Sequence, residues 1–151
     1  MAGAPFIIRE MADADRAAWL EMRAELWPEE TIVAHAAEID EWYKSTTAWG
    51  FVAELPNGFP VGFAEVALRP YANGCDSRPV AFLEGIWVRP ACRRRGVGVG
   101  LIAHIERLLS ARGYRELGSD TEFGNTGSRA AHRAWGFCET ERVVYFRKSL
   151  R

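Results

Sequence analysis

The sequence predicts one α/β (α+β) domain built on a mixed sheet, and three observations carry that reading. Predicted elements follow one another in the order βααβββαβαβ. The run Pro79–Val88 (PVAFLEGIWV) is almost wholly apolar, as a central strand buried on both faces is. The length of 151 residues, at 48% hydrophobic and 26% charged, is that of a single ordinary globular unit. A chain of this size buries roughly two thirds of its unfolded surface, enough for a core without metal or disulfide staples. No repeat, linker or low-complexity tract interrupts residues 1–151, which read as one domain.

Phe6-Ile7-Ile8, after Pro5, is a short apolar run and reads as the first strand. Asp13 and Asp15 are candidate N-caps for a helix with Ala18/Trp19, Met22 and Leu26 on its apolar stripe, ended by Pro28. A second helix puts Ile32/Val33, Ala36, Ile39 and Tyr43 on one face. Trp49–Leu55 and Pro60–Leu68 read as strands of a hairpin turning at Pro56-Asn57-Gly58. The turn-rich stretch Arg69–Arg78 is a loop, and Pro79–Val88 follows as the central strand, interrupted by Glu84 and Gly85. Beyond a basic loop, Arg89–Arg95, a helix carries Leu101/Ile102, Ile105 and Leu108/Leu109 on one side and ends at Gly113. A short strand near Leu117–Ser119, a helix over Asn125–Trp135 stopped by Gly136, and a final strand over Glu141–Lys148 (ERVVYFRK) complete the order.

The net charge of −1 does not mark a dedicated nucleic-acid binder. Charge is nevertheless divided: residues 1–60 carry a net −7 and residues 61–151 a net +6, as if the first part faced a cation and the second an anion. Three widely spaced cysteines, Cys75, Cys92 and Cys138, form no CxxC pair, which argues against a disulfide framework or zinc knuckle and for free thiols in a reducing compartment. His35 and His104 lack ligand spacing, so no metal is expected. No apolar run approaches the ~18 residues of a membrane helix. The opening MAGAPFIIREMADAD lacks the basic start and apolar stretch of a secretory signal, so a soluble cytoplasmic protein with no membrane partner is expected.

The segment richest in chemistry is a buried strand, then three arginines, then Gly96, Gly98 and Gly100 leading into a helix. Glycines let a ligand approach the backbone closely, and a helix start presents unpaired N–H groups and the positive end of a dipole. Together they suit a diphosphate. The spacing GxGxG is not the dinucleotide fingerprint GxGxxG, and Leu101-Ile102 stand where a Walker loop needs Lys and Ser or Thr.

Arg93-x-x-Gly96-x-Gly98 resembles the acyl-CoA pyrophosphate loop of the GCN5-related N-acetyltransferase (GNAT) superfamily, whose pattern is R/Q-x-x-G-x-G/A. Asn125 followed by His132-x-x-x-Gly136-Phe137 resembles that superfamily's last helix. LWP (Leu26–Pro28), YANGCDS (Tyr71–Ser77), PVAFLEGIWV, Gly118-Ser119-Asp120 and ETERVVYFRK (Glu139–Lys148) stand in the order found in aminoglycoside 6′-N-acetyltransferases, a match spanning essentially the whole chain. The resemblance implies a GNAT fold: a mixed, mostly antiparallel twisted sheet with splayed central strands, flanked by about four helices. It also implies acetyl transfer from acetyl-CoA to the 6′-amino group of an aminoglycoside, antibiotic resistance, and a homodimer.

On that resemblance Arg93, Arg94, Arg95, Gly96, Val97 and Gly98 hold the diphosphate, Ile86, Trp87 and Val88 line the thioester arm, and Asn125 contacts the pantetheine. A bulge at Gly85 would free backbone donors, with the Val88 N–H facing the thioester oxygen. Glu84, in an apolar strand, needs a partner: either a substrate ammonium whose proton it accepts, directly or through water, or an internal arginine. Asp120 and Glu141 are parallel acidic candidates for a polycationic acceptor. Trp27 and Tyr71 fall where the family has acceptor-site aromatics, the alternative being ordinary packing. His132 departs from the tyrosine frequent at its position. An imidazole of pKa ~6.5 can protonate a leaving thiolate, although a thiol of pKa ~8.5 leaves without much help. Packing or a pantetheine contact is the alternative for His132, and Tyr145 is a second candidate donor. A covalent route through Cys138 has no adjacent base to support it. The rival readings are an acetyltransferase for another amine, such as a polyamine or protein N-terminus, and a non-catalytic acyl-CoA or RNA-binding module.

Overall fold

The computed structural model describes residues 5–151; the first four residues of the segment read as no secretory signal lie outside them. One sheet runs in sequential order through β1 (Ile7–Glu10), β2 (Ala48–Glu54), β3 (Pro60–Arg69), β4 (Val80–Val88) and β5 (Leu117–Gly118). The first four strands are antiparallel neighbours, and β5 joins β4 in parallel. Parallel pairing requires a crossover, which α3 (Val97–Ala111) provides. The β2–β3 hairpin closes as its turn residues dictate. Gly58, at φ 86°, donates to Leu55 O at 2.8 Å, and the Asn57 side chain accepts the Phe59 N–H at 3.0 Å.

Strand alternation gives the sheet two apolar faces. On one, Leu101, Ile102 and Ile105 of α3 pack against Phe51, Val61, Ala64, Val66 and Leu83. On the other, Trp19 and Met22 of α1 (Arg16–Leu26) and Ile39 of α2 (Ile32–Lys44) pack against Val52, Phe63 and Trp87. The last helix, α4 (Thr126–Ala134), brings Trp135 so close to Gly98 that a Cβ there would lie 2.8 Å from the indole nitrogen. No helix among the described residues is long and apolar enough to cross a membrane.

Three expectations are corrected. Asp15 precedes α1 but does not cap it; its carboxylate accepts from Arg9 at 2.7 and 2.9 Å and from the Ala12 N–H at 2.7 Å, tying β1 to the helix start. In α2 the predicted face is rotated: Val33 is 79% exposed, and His35 is buried beside Ile39. The histidine takes the core side because Arg23, on the buried side of α1, and the carbonyl of Trp27, which ends that helix, need a polar partner. The expected last strand, Glu141–Lys148, does not form. β5 is only two residues long, so its outer edge gives a returning segment almost no ladder to join. Residues 137–151 accordingly carry no regular structure, and Tyr145 and Phe146 are 79% and 92% exposed.

Candidate active site

The site begins where the sheet comes apart. β5 pairs with Ala81 and Phe82, so from Leu83 onward one edge of β4 has no strand beside it among the described residues. On its other edge β4 carries a bulge: Glu65 pairs with Gly85 and Val66 with Leu83, leaving Glu84 as the extra residue. The Arg89 N–H donates to Val61 O at 2.7 Å, which makes these two a hydrogen-bonded pair. Alternation along the ladder therefore turns the N–H and C=O groups of Val88 and Ile86 away from β3, towards the open edge. The Val88 carbonyl accepts from Arg93 Nε at 2.8 Å. Trp87, facing the other way, is buried among the α1 and α2 side chains.

The chain then enters α3 through backbone that few sequences adopt. Arg94 has φ 59° and Gly96, the N-cap, φ 88°. Left-handed residues in such a loop turn successive N–H groups to one side, a concavity suited to anions. No side chain caps α3. The first intrahelical bond is Gly100 N–H to Gly96 O at 2.9 Å, so the N–H groups of Val97, Gly98 and Val99 have no acceptor within the helix. A Cβ at Gly96 would meet nothing within 4 Å, and Arg93, Arg94 and Arg95 are exposed around this opening. Donors, dipole and three guanidinium groups fit a diphosphate such as that of coenzyme A.

On the α1–α2 side of the bulge lies an open pocket of about 470 Å³, lined by Trp27 and Trp42 and by five carboxylates, Glu29, Glu30, Glu38, Glu65 and Glu84. Arg23, 3% exposed, lies at its back and hydrogen-bonds to both Glu38 and Glu65. Glu65 also accepts from Trp19 Nε1 at 2.7 Å. Burial pushes the Glu65 carboxyl up, while Arg23 and then Trp19 pull it back towards the charged form. Arg23 Nε donates to His35 Nδ1 at 3.4 Å, which leaves the Nε2–H to donate to Trp27 O at 3.0 Å. Glu84 has an internal partner: Arg69 grips its two oxygens at 2.8 and 2.6 Å while lying over the Phe82 ring. Those hydrogen bonds raise the Arg69 pKa against the opposing effect of burial. Asp120 is exposed, two residues beyond β5. With Arg23 and Arg69 satisfied internally, the pocket presents net negative charge to a ligand.

Other predicted residues are placed as follows. Asn125 caps α4, its side-chain oxygen accepting the Ser128 N–H at 3.0 Å. Both nitrogens of His132 are engaged: Nδ1 with Ser128 O and Nε2 with the Ser119 hydroxyl, each at 2.7 Å, between the rings of Trp135 and Phe137. That geometry favours the packing reading of His132 over a proton-donor role. Tyr71 is 61% exposed, with Arg78 over its ring. Glu141 and Tyr145 stand on the irregular C-terminal segment. Sequence reasoning missed Arg23, Glu29, Glu30, His35, Glu38, Glu65 and Arg69. Besides the candidates Trp27 and Glu84, the excess of acids over residues 1–60 was the signal pointing to this pocket. Among the described residues no group of three or more His, Cys, Asp and Glu side chains is arranged to hold a metal.

Comparison with known proteins agrees with this geometry. Residues 16–137 match the family model described as the acetyltransferase (GNAT) family. An aminoglycoside N(6′)-acetyltransferase type 1 of Klebsiella aerogenes is 44% identical over 147 residues, covering 95% of this chain and 97% of that protein. Another of that name from Serratia marcescens is 47% identical over 134 residues, covering 88% and 92%. The structure of AAC(6′)-Iy in complex with the bisubstrate analog CoA-S-monomethyl-acetylneamine superposes with a TM-score of 0.90 at 42% identity, covering 97% of this chain and 99% of that one. This chain belongs to the acetyltransferase (GNAT) family and, within it, to the aminoglycoside N(6′)-acetyltransferases of type 1.

Proposed function

We propose that this protein transfers the acetyl group of acetyl-CoA to the 6′-amino group of aminoglycosides, directly and within a ternary complex, as a cytoplasmic homodimer that confers antibiotic resistance. One observation carries the reading: an acidic, aromatic-walled pocket opens beside the bulge of β4, on the strand whose free edge leads to the donor-rich start of α3. An aminoglycoside is a polycation and coenzyme A a polyanion, so the two faces sort the two substrates by charge.

Bound acetyl-CoA supplies the acetyl group as a thioester, and amide formation releases the thiol. Arg93, Arg94, Arg95 and the backbone of Gly96, Val97 and Gly98 hold the diphosphate. Ile86 and Val88 align the arm along the open edge of β4, where the outward Val88 N–H meets developing charge on the thioester oxygen, while Trp87 backs the strand from the buried face. Asn125 steadies the pantetheine from the start of α4. Glu84, Asp120 and Glu141 hold the acceptor's ammonium groups, and Trp27 and Tyr71 stack on its rings. Glu84, its carboxylate plane fixed by Arg69, takes the amine's proton directly or through water. Tyr145 is the proton donor for the thiolate, and His132 orients α4 against Ser119.

The exposed Val143, Val144 and Phe146 form an apolar patch of strand-forming residues, and a second copy of the chain is the partner that covers it. Thiol release from acetyl-CoA, measured with kanamycin, spermidine and an unblocked peptide as acceptors, tests the function. Kanamycin is expected to be the preferred acceptor. Faster release with spermidine or peptide would favour the other-amine reading, and salt-sensitive RNA retention with no release would favour a binding module.

A further inference from the structure

We propose that Gly85 is a specificity-determining residue of the acceptor pocket: by carrying no side chain on the bulge of β4, it seats the Trp27 indole, and this contact sets the distance between the aromatic wall and Glu84. The inference rests on reading that pocket as the acceptor site.

The indole is backed by the protein on every side but the one that opens to the pocket. Its backbone is tied at both ends, the Trp27 N–H donating to Arg23 O at 2.9 Å and the carbonyl accepting from His35 at 3.0 Å. Arg23 Cζ lies 4.8 Å from the ring centroid, His35 stacks on it at 6.4 Å and 29°, and Phe63 meets it edge-on at 6.4 Å. Arg23 is in turn locked by Glu65 and Glu38, so the backing does not yield. Gly85 closes the strand side. A Cβ there would fall 2.7 Å from Trp27 Cζ2 and nearer still to Cη2, far inside van der Waals contact, and 3.2 Å from Leu26 Cδ2, a looser approach to a flexible side chain. Gly85 has no left-handed backbone to explain the absence of a side chain, since the positive-φ glycines lie elsewhere. The need for glycine at this position is therefore chiefly the ring, since the two severe approaches are both to Trp27. Alanine suits the backbone but displaces the indole, and the only free direction is into the pocket, beside Glu84.

The test is a double-mutant cycle with Gly85→Ala and Trp27→Phe, because phenylalanine lacks the two ring atoms that the new methyl would strike. In G85A the KM for kanamycin should rise about tenfold or more, since a misplacement near 1 Å is costly at a reacting centre. The KM for acetyl-CoA should stay at the wild-type value. The Trp27 indole N–H resonance, identified by its loss in W27F, should move. In the W27F background, adding G85A should change the kanamycin KM by less than twofold. An unmoved resonance in G85A, an unchanged kanamycin KM, or a G85A effect that persists in full beside W27F overturns the proposal. Should G85A fail to fold, recovery of folding in the double variant supports the seat, and an unfolded double variant counts against it. A wild-type protein that transfers nothing to kanamycin defeats the functional reading alone, and the indole resonance still decides whether Gly85 seats Trp27.

Discussion

Arg23 is the residue on which the acceptor side depends, because its buried guanidinium serves Glu65, Glu38, His35 and the face of Trp27 together. Removing one member of a buried ion pair leaves an uncompensated charge, at a cost of about 3–5 kcal/mol. Arg23→Met should lower the unfolding free energy measured by urea titration by that much, whereas Arg23→Met with Glu65→Leu should recover most of the loss, since no buried charge is then unpaired. Glu84 lies nearer the chemistry. Glu84→Gln should reduce kcat with kanamycin by about 100-fold or more while leaving the KM for acetyl-CoA unchanged. Full turnover by this variant across about pH 6 to 9 would remove Glu84 from the proton-accepting role.

The elements divide by how local their causes are. The Asn57-Gly58 turn, the apolar run of β4 and the glycine-rich entry to α3 are fixed by neighbouring residues, and all were legible in the sequence. The face of α2 was not, because His35 is turned inward by Arg23, twelve residues away and on another helix. The Glu65 partnership spans more than forty residues, so no local pattern announces it. The glycine-rich helix start was thus readable, while most of the acidic pocket required the fold. Gly96→Ala tests the readable half: an alanine at φ 88° costs about 1–2 kcal/mol and disturbs the N–H groups of the loop. Acetyl-CoA KM should rise with kanamycin KM unchanged. The β1–α1 junction predicts a pH effect. Hydrogen bonds from Arg9 hold the Asp15 carboxyl below its ordinary range, so the folded chain binds fewer protons there than the unfolded one. The stabilisation is present at neutral pH and is lost as pH falls below about 4, through the ordinary carboxylate range and towards the lowered folded value. Urea midpoints of Asp15→Asn should accordingly fall less steeply with acid than those of the wild type.

At the scale of the whole molecule, one strand organises two substrates: its bulge faces an acidic cavity and its free edge runs to a helix start built for anions. The C-terminal segment adds an apolar surface outside that body. Sedimentation should show a species of twice the 16.9 kDa chain mass. Replacing Val144 and Phe146 together by glutamate should shift it to the monomer, and unchanged sedimentation would deny the segment its dimer role. The central claim concerns where the acetyl group goes. Kanamycin incubated with the purified protein and acetyl-CoA, its product analysed by mass spectrometry and two-dimensional NMR, gives the answer directly. The account predicts a single acetyl group on the 6′ nitrogen; no transfer, or acetylation of any other ring amine, would contradict it.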